Sequence, residues 1–233
     1  MQETNEKRMS DQVYRTIQTR ILNHNLRPGE VIMAQRLAQD LQVSRTPIRE
    51  ALMRLVQEEL IIPVTGGKYK VSEFPLSKIL ELYEIRKALE GYAGDVAARV
   101  IRPAQVKTFQ RYRVLMEEAM ARKDVEAYLQ HDTAFHNLLL SLCGNDSLLQ
   151  CVEKINIRTQ RICYITMQIN PMADKYIADH ADIVNGLIRG DREQARIACE
   201  RHQDRAIQHL QELVYQEGQN FLELRWLIEE TSN

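Results

Sequence analysis

The sequence predicts a mostly α-helical chain in two parts: a short N-terminal unit of three helices and a β-hairpin, then a long all-helical unit. Three observations carry this. Only nine Gly and six Pro punctuate 233 residues, which favours long uninterrupted helices over many turns and strands. Apolar residues recur at three- and four-residue spacing through most of the chain. The clear exception is a pair of β-prone runs flanking Thr65-Gly66-Gly67.

In chain order, Val13, Ile17 and Ile21, with Leu22 beside them, form one apolar helical face, and Pro28-Gly29 is expected to end that helix. A short helix over 34–41 follows, with Leu37, Ala38 and Leu41 apolar. Ser44 is placed to cap the next helix, and Pro47 sits in its first turn, where a missing N–H costs little. Ile48, Ala51, Leu52 and Leu55 give that helix its inward face. Runs 60–64 and 68–72 then form a hairpin whose turn uses glycine for positive φ. Three helices and a hairpin in this order form a winged helix-turn-helix layout. Residues 73–77 contain Pro75 and show no periodicity, so the expected organisation is a domain over 1–73, a linker over 74–78 and a helical domain over 79–233. Helices are predicted over about 77–100, 103–122, 124–144, 147–169 and 171–189, and from Asp191, which with Gln194 resembles a capping box.

Composition narrows the class. The chain is 44% hydrophobic and 27% charged, as in an ordinary globular protein. No run of about 18 apolar residues occurs, and the polar N-terminal stretch lacks a signal-peptide core, so a cytoplasmic protein without a membrane span is expected. Four cysteines without CxxC spacing read as free thiols. A net charge of −1 argues against a generally basic nucleic-acid binder; the basic feature is local, Arg36, Arg45, Arg49 and Arg54 within one short stretch.

Arg45 and Arg49 are i,i+4 near the N-terminus of the third helix, the end that enters the major groove in helix-turn-helix docking. Arginine there can bind guanine O6 and N7 with two hydrogen bonds. Thr46 can reach a base edge or phosphate, and the helix N-terminus at Ser44 favours phosphate. Arg36 is placed toward backbone phosphate, with Thr65, Gly66 and Lys68 at the wing tip. Arg54, deeper along the helix, reads as a structural or phosphate contact. The plain alternative is a solvated helix face shared with Asp40 and Glu50. The stretch LAQDLQVSRTPIREALMRLVQEELI, preceded by RPGEVI, closely resembles the helix-turn-helix of GntR-family transcription regulators over residues from about 10 to 72. That resemblance implies double-stranded operator DNA as a partner, a homodimer reading a near-palindrome, and a wing that reaches the minor groove or backbone.

In the helical part, Asp132 and His136 lie four apart and share a helix face with Leu139 and Leu140. His180 and His202 are expected on two further helices, with apolar neighbours at Val184 and Ala206. Spacing alone leaves two readings: a metal site, or inward histidines that are simply hydrogen-bonded. Three stretches, LYEIRKALEGYA, the Asp132-to-His136 D-x-x-F-H, and HADIVNGLIRGDREQAR followed by His202, resemble the FCD effector domain of the FadR subfamily. The resemblance implies that Asp132, His136, His180 and His202 hold one divalent ion per chain. Three imidazoles and a carboxylate suit zinc foremost, with nickel, iron or manganese compatible. The subfamily further implies a small carboxylate effector at the ion, with Arg86 as its clamp. Arg86 could instead pair with Glu90 at i+4. Arg158 and Arg161 are further cavity candidates, while His24, His131 and His209 read as non-ligands. The leading expectation is an effector-modulated DNA-binding regulator that is not an enzyme. Two alternatives stand: a metal-dependent hydrolase, for which no general-base glutamate accompanies the cluster, and an effector-independent dimeric regulator. Repression and activation are not distinguishable from the residues.

Overall fold

The computed structural model describes residues 2–73, 75–169 and 172–217, and the chain divides between Pro75 and Leu76 into two compact units. The first unit runs α1 (Gln2–Leu22), β1 (Val31–Met33), α2 (Ala34–Asp40), α3 (Arg45–Gln57), β2 (Ile61–Val64) and β3 (Lys68–Val71). α1 packs on α3, and their apolar stripes, Val13, Ile17 and Ile21 with Ile48, Leu52 and Leu55, are all buried. β2 and β3 form the expected hairpin, and Gly66 and Gly67 turn it with φ of 76° and 69°, a region that glycine enters without a Cβ penalty.

Three local features differ from the expectation. α1 stops before Pro28: His24 takes a left-handed φ of 65°, and Leu26 N donates to Arg20 O at 2.7 Å, a wrap-around bond that closes the helix end. β1 is an additional strand. It pairs antiparallel with β3, Val31 opposite Lys70 and Met33 opposite Lys68, giving the sheet order β1-β3-β2. Ser44 does occupy the N-cap of α3, but its side chain makes no cap hydrogen bond.

The second unit contains α4 (Leu76–Val100), α5 (Pro103–Ala121), α6 (Val125–Ser141), α7 (Asp146–Ile169), α8 (Ala173–Arg189) and α9 (Arg192–Glu217). α4 starts at Leu76, inside the segment read as a 74–78 linker. A proline immediately before a first turn lacks only an N–H that the helix end leaves unpaired anyway. Asp124 caps α6 by accepting from Ala127 N at 2.9 Å, and Asp191 accepts from Gln194 N at 3.0 Å at the start of α9. Pro171, read as a helix start, and Gly218, read as a possible break, lie outside the described residues. All four cysteines are free.

Helix placement here depends on two glycines. A Cβ on Gly94 of α4 would stand 2.8 Å from Ala195 O, and one on Gly186 of α8 would stand 2.8 Å from Ala195 N. α4 and α8 therefore both press directly on the first turn of α9. Phe109 and Phe135, fully buried and edge-to-face at 4.8 Å, anchor α6 in the same core. This packing brings α4, α6, α8 and α9 together around one buried polar cluster.

Candidate DNA-reading surface and buried metal centre

In the first unit, Ser44, Arg45, Thr46 and Arg49 are all exposed around the N-terminus of α3, while Pro47, Ile48, Ala51 and Leu52 of the same helix are buried. Arg36 of α2 is exposed, and so are Thr65, Gly66 and Lys68 at the hairpin tip. Arg54 is committed elsewhere: its Nη1 donates to Asp11 Oδ1 at 2.6 Å, and its guanidinium sits 3.8 Å from the Tyr14 ring centroid. It is thus a tie between α1 and α3. The Tyr14 hydroxyl completes that tie by donating to Glu58, 2.7 Å from Oε1.

In the second unit, α6 supplies Asp132 and His136, α8 supplies His180 and α9 supplies His202. One ligand atom from each lies within 4.8 Å of every other, and this cluster could hold a metal ion. His136 Nε2 and His180 Nε2 are 3.3 Å apart, and Asp132 Oδ1 is 3.3 Å from His180 Nε2 and 3.7 Å from His136 Nε2. Donors about 2.1 Å from a shared ion stand roughly 3.0–3.4 Å apart at right or tetrahedral angles, so the spacing is near that of a coordination sphere. The rings are held by packing: Phe135 lies 4.5 Å from His180 and 5.6 Å from His136 between centroids.

Electrostatics favour the same reading. Burial pulls the His180 imidazole down, and burial with the neighbouring His180 and His136 pulls His202 well down, so both are neutral and have lone pairs to offer. Burial also opposes charge on His136, but Glu90 and Asp132 override it and push it up to about 9. A fully buried carboxylate, Glu90, and a part-buried one, Asp132, thus call for positive charge between them, which a bound cation would provide. Burial would raise Asp132, yet His136 and His180 hold it well below the usual carboxylate range.

Glu90 was not singled out from the sequence as part of this site. It is fully buried; Oε1 accepts from Arg86 Nε at 2.8 Å, and Oε2 accepts from Gln203 Nε2 at 2.8 Å and lies 2.8 Å from His136 Nδ1. Burial would raise its pKa, but Arg86 and His136 keep it ionised. The only sequence signal for it is the i,i+4 spacing from Arg86, so the pairing weighed against the clamp is present. Arg86 Nη1 also lies 3.4 Å from Thr159 Oγ1, and its guanidinium is 6.0 Å from the Tyr83 ring centroid. On its other side Arg86 lines a cavity of about 40 Å³ whose wall also includes Asp132, His202, Tyr83, Tyr176 and Gln203. Arg158 and Arg161 are not among the residues lining it. His209 is bonded to the Tyr176 hydroxyl at 3.0 Å; His24 is buried in the first unit and His131 is part-buried on α6, and none of the three belongs to the four-donor cluster.

A winged helix-turn-helix with an exposed arginine-bearing third helix, followed by an all-helical domain with a buried polar centre, defines a two-domain DNA-binding transcription regulator. Comparison with known proteins makes this specific. The pattern described as "Bacterial regulatory proteins, gntR family" matches residues 9–71, and that of the FCD domain matches residues 81–205. The chain belongs to the GntR family and carries an FCD domain, the combination of the FadR subfamily. It is 27% identical over 204 residues to an HTH-type transcriptional regulator of an unstable DNA locus in Streptomyces ambofaciens, covering 87% of this chain and 85% of that one. It is 25% identical over 206 residues to the HTH-type transcriptional repressor RspR of Escherichia coli K12, covering 88% and 87%. Among solved structures, E. coli McbR/YncC superposes with a TM-score of 0.77 at 23% identity over 88% of this chain and 97% of that one. A GntR regulator from Rhodococcus sp. RHA1 does so at 0.72 and 20%, over 86% and 96%. These two show the shared fold. No helix among the described residues is long and apolar enough to cross a membrane.

Proposed function

We propose that this regulator binds operator DNA as a homodimer and that a small organic acid, bound beside one divalent ion in the FCD domain, sets its operator affinity. The observation that carries the proposal is the cavity of about 40 Å³ bounded at once by Asp132 and His202 of the four-donor cluster and by Arg86. Asp132, His136, His180 and His202 would hold the ion, zinc foremost; when bound it supplies positive charge and a position for an oxygen ligand. A buried positive site selects an anion, because a buried charge needs an opposite partner. The expected class is a hydroxy acid, a dicarboxylate or a sugar acid. Arg86 gives Nε to Glu90 and Nη1 reaches Thr159, which holds the guanidinium at the cavity wall for a carboxylate to meet. On DNA, Arg45, Thr46 and Arg49 read bases, Arg36 and the Ser44 helix end hold phosphate, and Thr65, Gly66 and Lys68 form the wing contact.

The test combines metal analysis of the purified protein, a thermal-shift screen of small organic acids, and operator titration with and without each hit. The expected result is one divalent ion per chain, and at least one acid that raises the melting temperature and changes operator affinity. Full metal content in a His136→Ala/His180→Ala variant rules out the ligand set. A broad panel of acids without effect on metal-loaded protein rules out the effector class.

A further inference from the structure

We infer that Glu90 is a positioning residue of the metal centre, fixing which nitrogen of His136 faces the ion and tying that ligand to the cavity wall. The inference rests on the metal-binding reading above and concerns a residue outside the four-donor set.

The chemistry follows from what each atom can donate. An ionised carboxylate only accepts, and Glu90 Oε2 stands 2.8 Å from His136 Nδ1. Two lone pairs 2.8 Å apart repel, so a neutral His136 is favoured with its proton on Nδ1 and its lone pair on Nε2. That is the nitrogen 3.3 Å from His180 Nε2 and 3.7 Å from Asp132 Oδ1. At His202 the corresponding approach is longer: Nδ1 is 3.9 Å from Asp179 Oδ2. Glu90 is itself over-determined by Arg86 on its own helix and Gln203 on α9, so its carboxylate plane has little freedom. Arg86 and Gln203 both line the cavity, so Glu90 links that part of the cavity wall to His136. A carboxylate on the far nitrogen of a metal-bound imidazole orients the ring and raises its basicity, and loss of such a partner lowers metal affinity about 10- to 100-fold.

The experiment is a Zn²⁺ titration of metal-free, full-length protein against a chromophoric chelator. Glu90→Gln and Glu90→Asp are each made in the parent and in a His136→Ala background. Glu90→Gln removes the partner of a buried guanidinium, so the more conservative Glu90→Asp supplies the same comparison if the glutamine variant does not fold. In the parent, Glu90→Gln is expected to weaken Zn²⁺ about 10- to 100-fold. In the His136→Ala background the same change is expected to alter Zn²⁺ affinity less than about threefold, because the ring that Glu90 positions is gone. Equal loss in both backgrounds identifies a general structural effect and overturns the inference, as does an unchanged affinity in the parent. A parent protein that binds no Zn²⁺ overturns the metal reading first, and this inference with it.

Discussion

Arginines at 45, 49 and 54 lie within ten residues of one another yet have different roles available to them. Arg45 and Arg49 end in solvent, whereas Arg54 is held by Asp11 and the Tyr14 ring. Arg45→Ala or Arg49→Ala is therefore expected to weaken specific operator binding by about 1–3 kcal/mol each, with little change in binding to unrelated DNA. Competition titrations check this, and unchanged specific affinity in both variants removes α3 as the reading helix. Arg54→Ala is expected to act on stability instead. Its ion pair is partly exposed, so it and the ring contact together amount to roughly 1 kcal/mol, read as an earlier unfolding midpoint of the N-terminal unit. The sequence distinguishes these roles only as far as helix position does, because Asp11 is 43 residues away and no local pattern announces it. The same limit hid Glu90. Asp132 and His136 are legible as i,i+4 partners, but the approach of Glu90 to His136 is made by two helices meeting, and it has no signature in either strand of sequence.

At the scale of elements, periodicity located the helices well and short pairing poorly. β1 is three residues long, too few to display alternation, and it exists as a strand only because β3 lies beside it. α1 ends through a left-handed histidine, a residue that gives no stop signal of glycine strength. Two predictions belong here. Lys68 stands exposed at the wing, so Lys68→Ala is expected to weaken DNA binding evenly across sequences and to lower the slope of log affinity against log salt by about one. Titrations at several salt concentrations measure it. Gly186 of α8 faces the backbone of Ala195, which cannot yield as a flexible side chain would. Gly186→Ala is expected to cost the helical domain about 1–3 kcal/mol, seen by chemical denaturation, with the N-terminal unit unaffected.

For the molecule as a whole, helical period and one hairpin were enough for the fold class, a winged helix-turn-helix followed by an all-helical part. Spacing alone did not supply the tertiary convergence that turns four scattered donors into one cluster; the FCD resemblance named those four. Two measurements address that convergence. A ligand that binds only the folded state at a hundred times its dissociation constant adds about 2.7 kcal/mol, so chelation is expected to lower the melting temperature of the helical domain and Zn²⁺ to restore it. Acid acts on the α4–α9 surface as well. Arg192 donates to Asp95, and with a smaller contribution from Arg99 this holds the Asp95 carboxyl below its ordinary range despite opposing desolvation. A depressed carboxyl stabilises the fold above its unfolded-state pKa, and the benefit disappears as pH falls through the folded-state value. Asp95→Asn is expected to flatten the acid limb of the stability curve, and less so in high salt.

The contact of Gly94 and Gly186 with Ala195 has a meaning for the register of α9. With backbone against backbone at its first turn, α9 has little room to slide along its axis. At 1.5 Å per residue, His202 lies about 10 Å beyond Ala195, so two missing side chains on α4 and α8 set the height at which that imidazole reaches its neighbours.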